Sequence, residues 1–490
     1  MFDQIKRILK DSLIYGSGSL AQYSISFLLI PVYTRYLTPA DYGILEVIAV
    51  TTSLLLILYI MGMSTAIFKS YFDTKDEKTR KTIISSALIY LSLTSLTFTT
   101  ILVFLAPFFS STFFGTGDNT LLFTIAFSSL FFDTSLIIPF ALWRAKGESK
   151  RYVIISFSRF VLAMGLNILF VVFLTRGILG ILQAQLITSA AFYVFLIPWT
   201  IKDTGLRFSA QKLKEMLSFG LPLIATLLAS MILVRSDRYF LNFFSTTSQV
   251  GLYALGYRIG MIVNILIAQP FQTAWLPFMF SIKNNENARE IYSRVLTYFA
   301  LIAVFIALAL SVLARPVLWV MATPPFYDAH KVVPLIAFSY ALYGCYFVVA
   351  APFYLTDRTK RLALIVSLAA LPNLLLNYLL IPGYGMMGAA TATFISYAAL
   401  FLATAFIGRR YYPIPYESAR VLKIFLAAGL VFTGSLYINS ASPATMGLLK
   451  LASLLGFPSL LFALKFFKHE EIQKARELVN AAVVQVKAKI

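Results

Sequence analysis

Residues 42–66 read YGILEVIAVTTSLLLILYIMGMSTA, residues 67–81 read IFKSYFDTKDEKTRK, and residues 82–106 read TIISSALIYLSLTSLTFTTILVFLA. The outer two segments share a single charge, Glu46, whereas the middle one carries five Lys or Arg. A hydrocarbon core of about 30 Å takes roughly 20 apolar residues to cross as a helix. Each 25-residue run is therefore long enough to span a bilayer, and a basic link between two spans marks the cytoplasmic side. The same pattern continues in both directions. Further apolar runs lie at residues 12–36, 121–143, 152–174, 178–201, 217–234 and 250–280, then at 291–314, 332–355, 362–381, 386–407, 421–438 and 446–467. The reading is an all-α integral membrane protein with fourteen crossings.

Composition supports it. The chain is 59% hydrophobic and 13% charged, with a mean hydropathy of +0.80, which excludes a soluble globular domain. Of 41 Lys and Arg, 32 fall at the two termini and in every second link, or within a turn of them. That asymmetry predicts cytoplasmic N- and C-termini in the cytoplasmic (inner) membrane. It also assigns the net charge of +20 to topology and anionic membrane lipids rather than to nucleic acid. Cys345 stands alone, and His330 and His469 have no Cys at ligand spacing, so neither a disulfide nor a metal site is expected. Residues 1–11 are charged and carry no small-residue cleavage pattern, so no removable signal peptide is expected. No phosphate-binding Gly-rich loop, His-Glu-x-x-His or Gly-x-Ser-x-Gly occurs, and the links are short, so a non-enzymatic role is expected.

An internal repeat organises the crossings. Arg35-Tyr36 has a counterpart in Arg238-Tyr239, Gly43 in Gly251, and Pro139-Phe140-Ala141-Leu142 in Pro352-Phe353-Tyr354-Leu355. Lys150-Arg151 answers to Lys360-Arg361, and Gly177-x-x-Gly180 to Gly385-x-x-Gly388. Matches in register at corresponding helix ends indicate duplication. Because six is even, the copies share one orientation and relate by a pseudo-two-fold along the membrane normal. The expected organisation is an N-lobe at residues 1–205 and a C-lobe at 206–412. A helix pair at 413–468 and a cytoplasmic amphipathic tail at 469–490 follow.

Polar residues at membrane depth are the candidates for chemistry, because an ionised group near the bilayer centre costs on the order of 3 kcal/mol or more. At about 1.5 Å per residue, Asp133 sits about 15 Å and Arg159 about 10 Å from the inner surface, and Arg258 about 12 Å from the outer one. Asp133 and Arg159 read either as an ion pair joining consecutive helices or, for Asp133, as a coupling site for protons or sodium. Glu46 is a second ion-coupling candidate. Arg258 has no acidic residue in its own run, with Asp237 its nearest candidate partner. It therefore suggests a hydrated cavity for an anion, since a guanidinium fork grips phosphate through paired donors. Arg235 and Arg238 either extend that patch or snorkel to the interface. Gln22, Asn264 and Gln272 supply uncharged hydrogen-bonding groups, with Gln183 and Gln185 nearby.

Thr38-Pro39-Ala40-Asp41-Tyr42-Gly43 after Tyr33-Thr34-Arg35-Tyr36-Leu37 resembles the start of Wzx-type polysaccharide biosynthesis flippases. So does the stretch from Asn373 to Tyr397, with Leu376-Asn377-Tyr378-Leu379-Leu380-Ile381-Pro382 and Gly385-Met386-Met387-Gly388. These belong to the multidrug/oligosaccharidyl-lipid/polysaccharide (MOP, MATE-like) exporter superfamily. The resemblance implies a V-shaped bundle with a central cavity and alternating access. It implies movement of a polyprenyl-(pyro)phosphate-linked oligosaccharide, an O-antigen or exopolysaccharide repeat unit, to the outer leaflet. It further implies drive by a proton, sodium or membrane-potential gradient without a bound cofactor, and leaves association with a glycan polymerase or glycosyltransferases open. In the branch that flips the peptidoglycan precursor, the last helix pair lines a groove for the lipid tail, and Arg258 matches a cavity arginine. That branch has arginines in its first crossing where this chain has Gln22, which disfavours that substrate. The rival readings are a MATE-like drug or metabolite exporter, an integral-membrane glycan polymerase and a passive structural protein.

Overall fold

The computed structural model describes residues 29–440 and 442–471, with Phe27 and Gln473. Among the described residues every regular element is helical, and twelve helices are long and apolar enough to cross a membrane. The chain is a multi-pass α-helical membrane protein. Helices are what a chain rich in Leu, Ile and Ala forms where lipid offers no partner to an exposed N–H or C=O. The first expected crossing and Gln22 lie mostly or wholly outside the described residues, as does most of the tail from 469 onward.

The helices are α1 (Ile30–Tyr36), α2 (Pro39–Ile60), α3 (Met63–Asp73), α4 (Glu77–Phe104), α5 (Ala106–Phe114) and α6 (Thr120–Lys146). Next come α7 (Ser149–Ile168), α8 (Gly177–Thr204), α9 (Ala210–Phe244), α10 (Thr247–Gly260), α11 (Gln269–Ser281) and α12 (Ala288–Met321). The series ends with α13 (Val333–Val349), α14 (Ala351–Leu355), α15 (Thr359–Gly408), α16 (Ser418–Leu436), α17 (Pro443–Ser453) and α18 (Gly456–Ala463). The chain gathers into two compact units. One comprises Met1–Leu255, Met321–Phe326 and Ala370–Ala389; the other comprises Gly256–Val320, Tyr327–Ala369 and Ala390–Ile490.

Local chemistry sets the breaks. Thr38 and Asp41 form a reciprocal capping box that starts α2, with Pro39 in the first turn, where its missing N–H costs nothing. Crossing two is interrupted at Met61 and Gly62, both with positive φ, and resumes as α3. Crossing eight passes from α10 to α11 through a π turn at Asn264–Ala268. Pro270 follows at once; it cannot donate to the carbonyl four residues back, and the wider turn absorbs the misfit. The seventh crossing, expected at residues 217–234, is the first part of the 35-residue α9, which runs on through Arg235 and Arg238.

The repeat-related glycines behave alike. Gly177 and Gly385 have φ of +54° and +51°, and each precedes or interrupts a helix that folds back on the one before it. A Cβ on Gly180 would meet Phe170 Cβ at 2.9 Å, and one on Gly388 would meet the Leu380 carbonyl oxygen at 2.5 Å. The 50-residue α15 holds both expected crossings eleven and twelve, and its backbone leaves the helical region at Gly385 (ψ −130°). Gln249 Oε1 accepts the freed Met386 N–H at 2.8 Å.

In the second unit, Arg420 is buried at the start of α16 and donates to Glu471 at 2.8 and 2.9 Å, to Glu417 at 2.9 Å and to the Phe466 carbonyl at 3.1 Å. Lys468 pairs with Glu417 at 2.6 Å, and Tyr298 donates to Glu471 at 2.6 Å. This clasp holds the start of the C-terminal segment against α12 and α16. Burial pushes both carboxyls up. Hydrogen bonds from Lys468 and Thr297 on Glu417, and from Tyr298, Lys468 and Arg420 on Glu471, outweigh it and hold both below the usual range.

Two outcomes follow from these features. Gly385→Ala, forced into a positive-φ backbone, should lose about 1–3 kcal/mol and melt earlier in detergent, whereas Gly383→Ala, with open space around its Cβ, should melt like the parent. The clasp's depressed carboxyls contribute stability fully above the ordinary Glu pKa of about 4.3 and lose it as pH falls through their lower folded values. A nitroxide at position 469, in a Cys345→Ala background, should stay immobile near neutral pH and become mobile below about pH 4.

Candidate transport cavity

The first unit lines an open cavity of about 410 Å³. Its walls come from the break between α2 and α3, from one face of α6 and from α7. Asp133, Leu136, Phe140, Ala141 and Arg144, at i, i+3, i+7, i+8 and i+11 on α6, all line it. Tyr152, Ser156 and Arg159 face it from α7 at helical spacing, and Ser64 and Phe68 from α3. From Asp133 to Arg144 the lining runs about 16 Å along α6.

Asp133 lies midway along α6 and carries the densest set of contacts in the cavity. Arg159 Nη2 donates to Asp133 Oδ1, and at 2.9 Å to Ser189 Oγ. Ser189 Oγ donates to Asp133 Oδ1 at 2.6 Å, and Gln185 Nε2 reaches Oδ2 at 3.5 Å. One carboxylate thus ties α6, α7 and α8 together. Its side chain is 17% exposed and that of Arg159 29%, so the pair is desolvated on one side and open to the cavity on the other. Arg159 Nε and Nη1 make no hydrogen bond among the described residues. Arg144 stands over the Phe68 ring at 4.9 Å and pairs with no carboxylate among the described residues. Two guanidiniums against one carboxylate leave the lining with a net positive charge, flanked by aromatic rings and hydroxyls.

A second charged group lies elsewhere in the same unit. Arg238 is 4% exposed and Asp237 3%. Arg238 Nη1 donates to Asp237 Oδ1 at 2.6 Å and to the Val234 carbonyl at 3.1 Å, its Nε lies 3.5 Å from Glu46 Oε1, and its guanidinium sits over Tyr253 at 5.1 Å. Tyr253 donates to Asp237 Oδ2. Of the two readings of Arg238, snorkelling to the interface is not what the side chain does: α9 continues past it, and the side chain is packed inward. Arg235 is half-buried on the same helix.

The remaining candidates are dispersed. Arg258 is half-buried in the last turn of α10 and takes part in an interaction within the protein. Asp237, its suggested partner, instead binds Arg238 and Tyr253. Asn264 opens the π turn, 9% exposed, with its Oδ1 unsatisfied among the described residues. Gln272 is half-buried on α11. Sequence reasoning does not single out Arg144 or Ser189. Arg144 counts with the basic link that marks the cytoplasmic side, and Ser189 carries a signal only as the residue one turn beyond Gln185.

Comparison with known proteins adds the family. The profile described as "Polysaccharide biosynthesis protein" matches residues 8–283, more than half of the chain. The chain belongs to this family. A curated relative, Lsg locus putative protein 1 of Haemophilus influenzae, is 24% identical over 306 residues, which covers 61% of this chain and 73% of that one. Among solved structures, lipid II flippase MurJ in an inward closed conformation aligns with a TM-score of 0.74 at 16% identity, covering 92% of this chain and 99% of MurJ. An inward-facing multidrug resistance MATE transporter of the MOP superfamily aligns at 0.60 and 16% identity, covering 79% of this chain and 93% of that one. The fold is thus the one shared by MurJ and the MATE transporters.

The Asp133–Arg159 pair can be weighed directly. In a double-mutant cycle of Asp133→Asn and Arg159→Met, read by equilibrium unfolding in mixed micelles, we expect a coupling of about 1–2 kcal/mol; a value near 0.3 kcal/mol or less would mean the pair does not join the helices.

Proposed function

We propose that this protein is a flippase that carries a polyprenyl-(pyro)phosphate-linked oligosaccharide across the cytoplasmic membrane to the outer leaflet, with both termini on the cytoplasmic side. The observation that carries the reading is the net-positive cavity that runs from Arg159 at membrane depth to Arg144 at the inner end of α6. A lipid pyrophosphate cannot enter hydrocarbon unaccompanied, and two forks with unused donors offer it the bidentate contacts it loses on leaving water. The hydroxyls of Ser64, Tyr152 and Ser156 and the rings of Phe68 and Phe140 suit sugar attached to that phosphate, while the prenyl chain stays in lipid. Membership of a polysaccharide biosynthesis family supports the substrate class. In this reading Asp133 holds Arg159 in place when the cavity is empty and releases it to phosphate when loaded, and coupling to protons, sodium or membrane potential acts through the same carboxylate. No covalent chemistry is involved.

The competing reading is ion-coupled export of a cationic drug, favoured by the presence of Asp133 in the cavity and by the MATE-like fold. One experiment separates them: reconstituted protein with a fluorescent polyprenyl-pyrophosphate oligosaccharide, scored by quenching of the outer leaflet. Wild-type protein should equilibrate the leaflets. Arg144→Ala and Arg159→Ala should each slow flipping at least about 10-fold, the scale of one lost charge-assisted contact. Arg159→Lys, which keeps the charge but loses the fork, should fall between. Wild-type rates in the double alanine variant, or accumulation of a cationic dye without lipid movement, would overturn the proposal.

A further inference from the structure

Gly43 and Gly251 are 208 positions apart, and so are Pro39 and Thr247. Each glycine lies one turn into its helix, Gly43 in α2 and Gly251 in α10. An ideal Cβ on Gly43 would fall 1.8 Å from the Thr247 carbonyl oxygen, and one on Gly251 would fall 2.0 Å from that of Pro39. The same two Cβ positions would lie 3.1 Å from Gly251 N and 2.9 Å from Gly43 N. The contact is therefore reciprocal, and it is main chain on main chain with no side chain between. Only glycine on both helices permits that approach, which lets two backbones exchange dispersion and Cα–H···O contacts in lipid. Repeat-related residues making the same contact on each other is what a local two-fold through the crossing point produces.

An ionic contact lies just beneath. Glu46 is three residues past Gly43 on α2 and faces Arg238 on α9, the helix that leads into α10 through Ser245 and Thr246. Further along, Tyr239 donates to Thr51 at 3.0 Å. Parting α2 from α9 and α10 separates Glu46 from Arg238, while Arg238 keeps Asp237, its neighbour on the same helix. The guanidinium is thus compensated whether the helices are together or apart, which makes this ion pair a reversible one.

We propose that the Gly43–Gly251 crossing is a latch that closes one end of the transport path, the end the charge pattern assigns to the outside, and that the Glu46–Arg238 pair is its bolt. The inference rests on the transporter reading, but its test does not use the transported lipid. Cys345, the chain's one cysteine, is fully buried and is replaced by Ala. Thr51→Cys then serves as reporter: position 51 is 3% exposed and about 12 Å along α2 from Gly43. A hydrophilic maleimide is applied in detergent. Labelling should be slow with the native latch and at least 10-fold faster in Gly43→Leu and Gly251→Leu, whose side chains wedge the crossing open. Gly165→Leu and Gly429→Leu, with nothing within 4 Å of their Cβ positions, should label at the parent rate. If the leucine variants are not monodisperse, Gly43→Ala, Gly251→Ala and Glu46→Gln decide it in the same assay, each expected at least threefold above the parent. Rates indistinguishable from the glycine controls in the folded variants would overturn the latch. Accelerated labelling in a protein that moves no polyprenyl-linked sugar would keep the latch and reject the substrate.

Discussion

Each charge and each main-chain polar group inside these helices must find its counterpart in the protein, because the surrounding hydrocarbon offers none. That constraint explains where the charges sit. Arg238 is nearly fully enclosed, and around it are a carboxylate from its own helix, another from α2, a carbonyl and the face of Tyr253. Asp133 is satisfied by side chains from two neighbouring helices, α7 and α8. The same rule governs the backbone: where Gly385 interrupts α15, the side chain of Gln249 supplies the acceptor that the broken helix lacks.

The two charged groups differ in their exposure. The Arg238 group is sealed on all sides, so it can only hold elements together or let them part. The Asp133–Arg159 pair is half-open to a cavity, and another guanidinium, Arg144, stands nearby in the same lining without a carboxylate of its own. For a pair bordering a cavity, the energy of leaving water is already partly met by the fixed protein groups around it.

Much of this was legible in the linear sequence. Runs of 20 or more apolar residues and basic links determine an all-helical membrane protein, and the paired Gly-x-x-Gly segments mark positions that share a positive φ. Asp133 and Arg159 could be matched because they lie at similar depth on consecutive helices. What could not be read was the rotation of each helix about its axis. Depth follows from counting, but whether Arg238 points to lipid, water or protein depends on packing with α2 and α10, which lie far away in the chain. Arg144 was hidden for a different reason. A basic residue at a helix end looks like a topological charge, and nothing local distinguishes one that folds back over Phe68.

The break at Met61 and Gly62 has a mechanical consequence. Gly62 rests directly on Gly220 of α9, with its Cβ position 2.3 Å from the Gly220 carbonyl oxygen. A rod that is jointed where it bears on another rod is a lever with its fulcrum at the joint. Gly43 lies 19 residues away, about 29 Å along the helix. A tilt of about 10° at the fulcrum would carry that far tip about 5 Å, roughly the thickness of one strand of backbone. Small rearrangements beside the cavity wall at Ile60 and Ser64 would thereby be geared up into a larger displacement at the far end of α2.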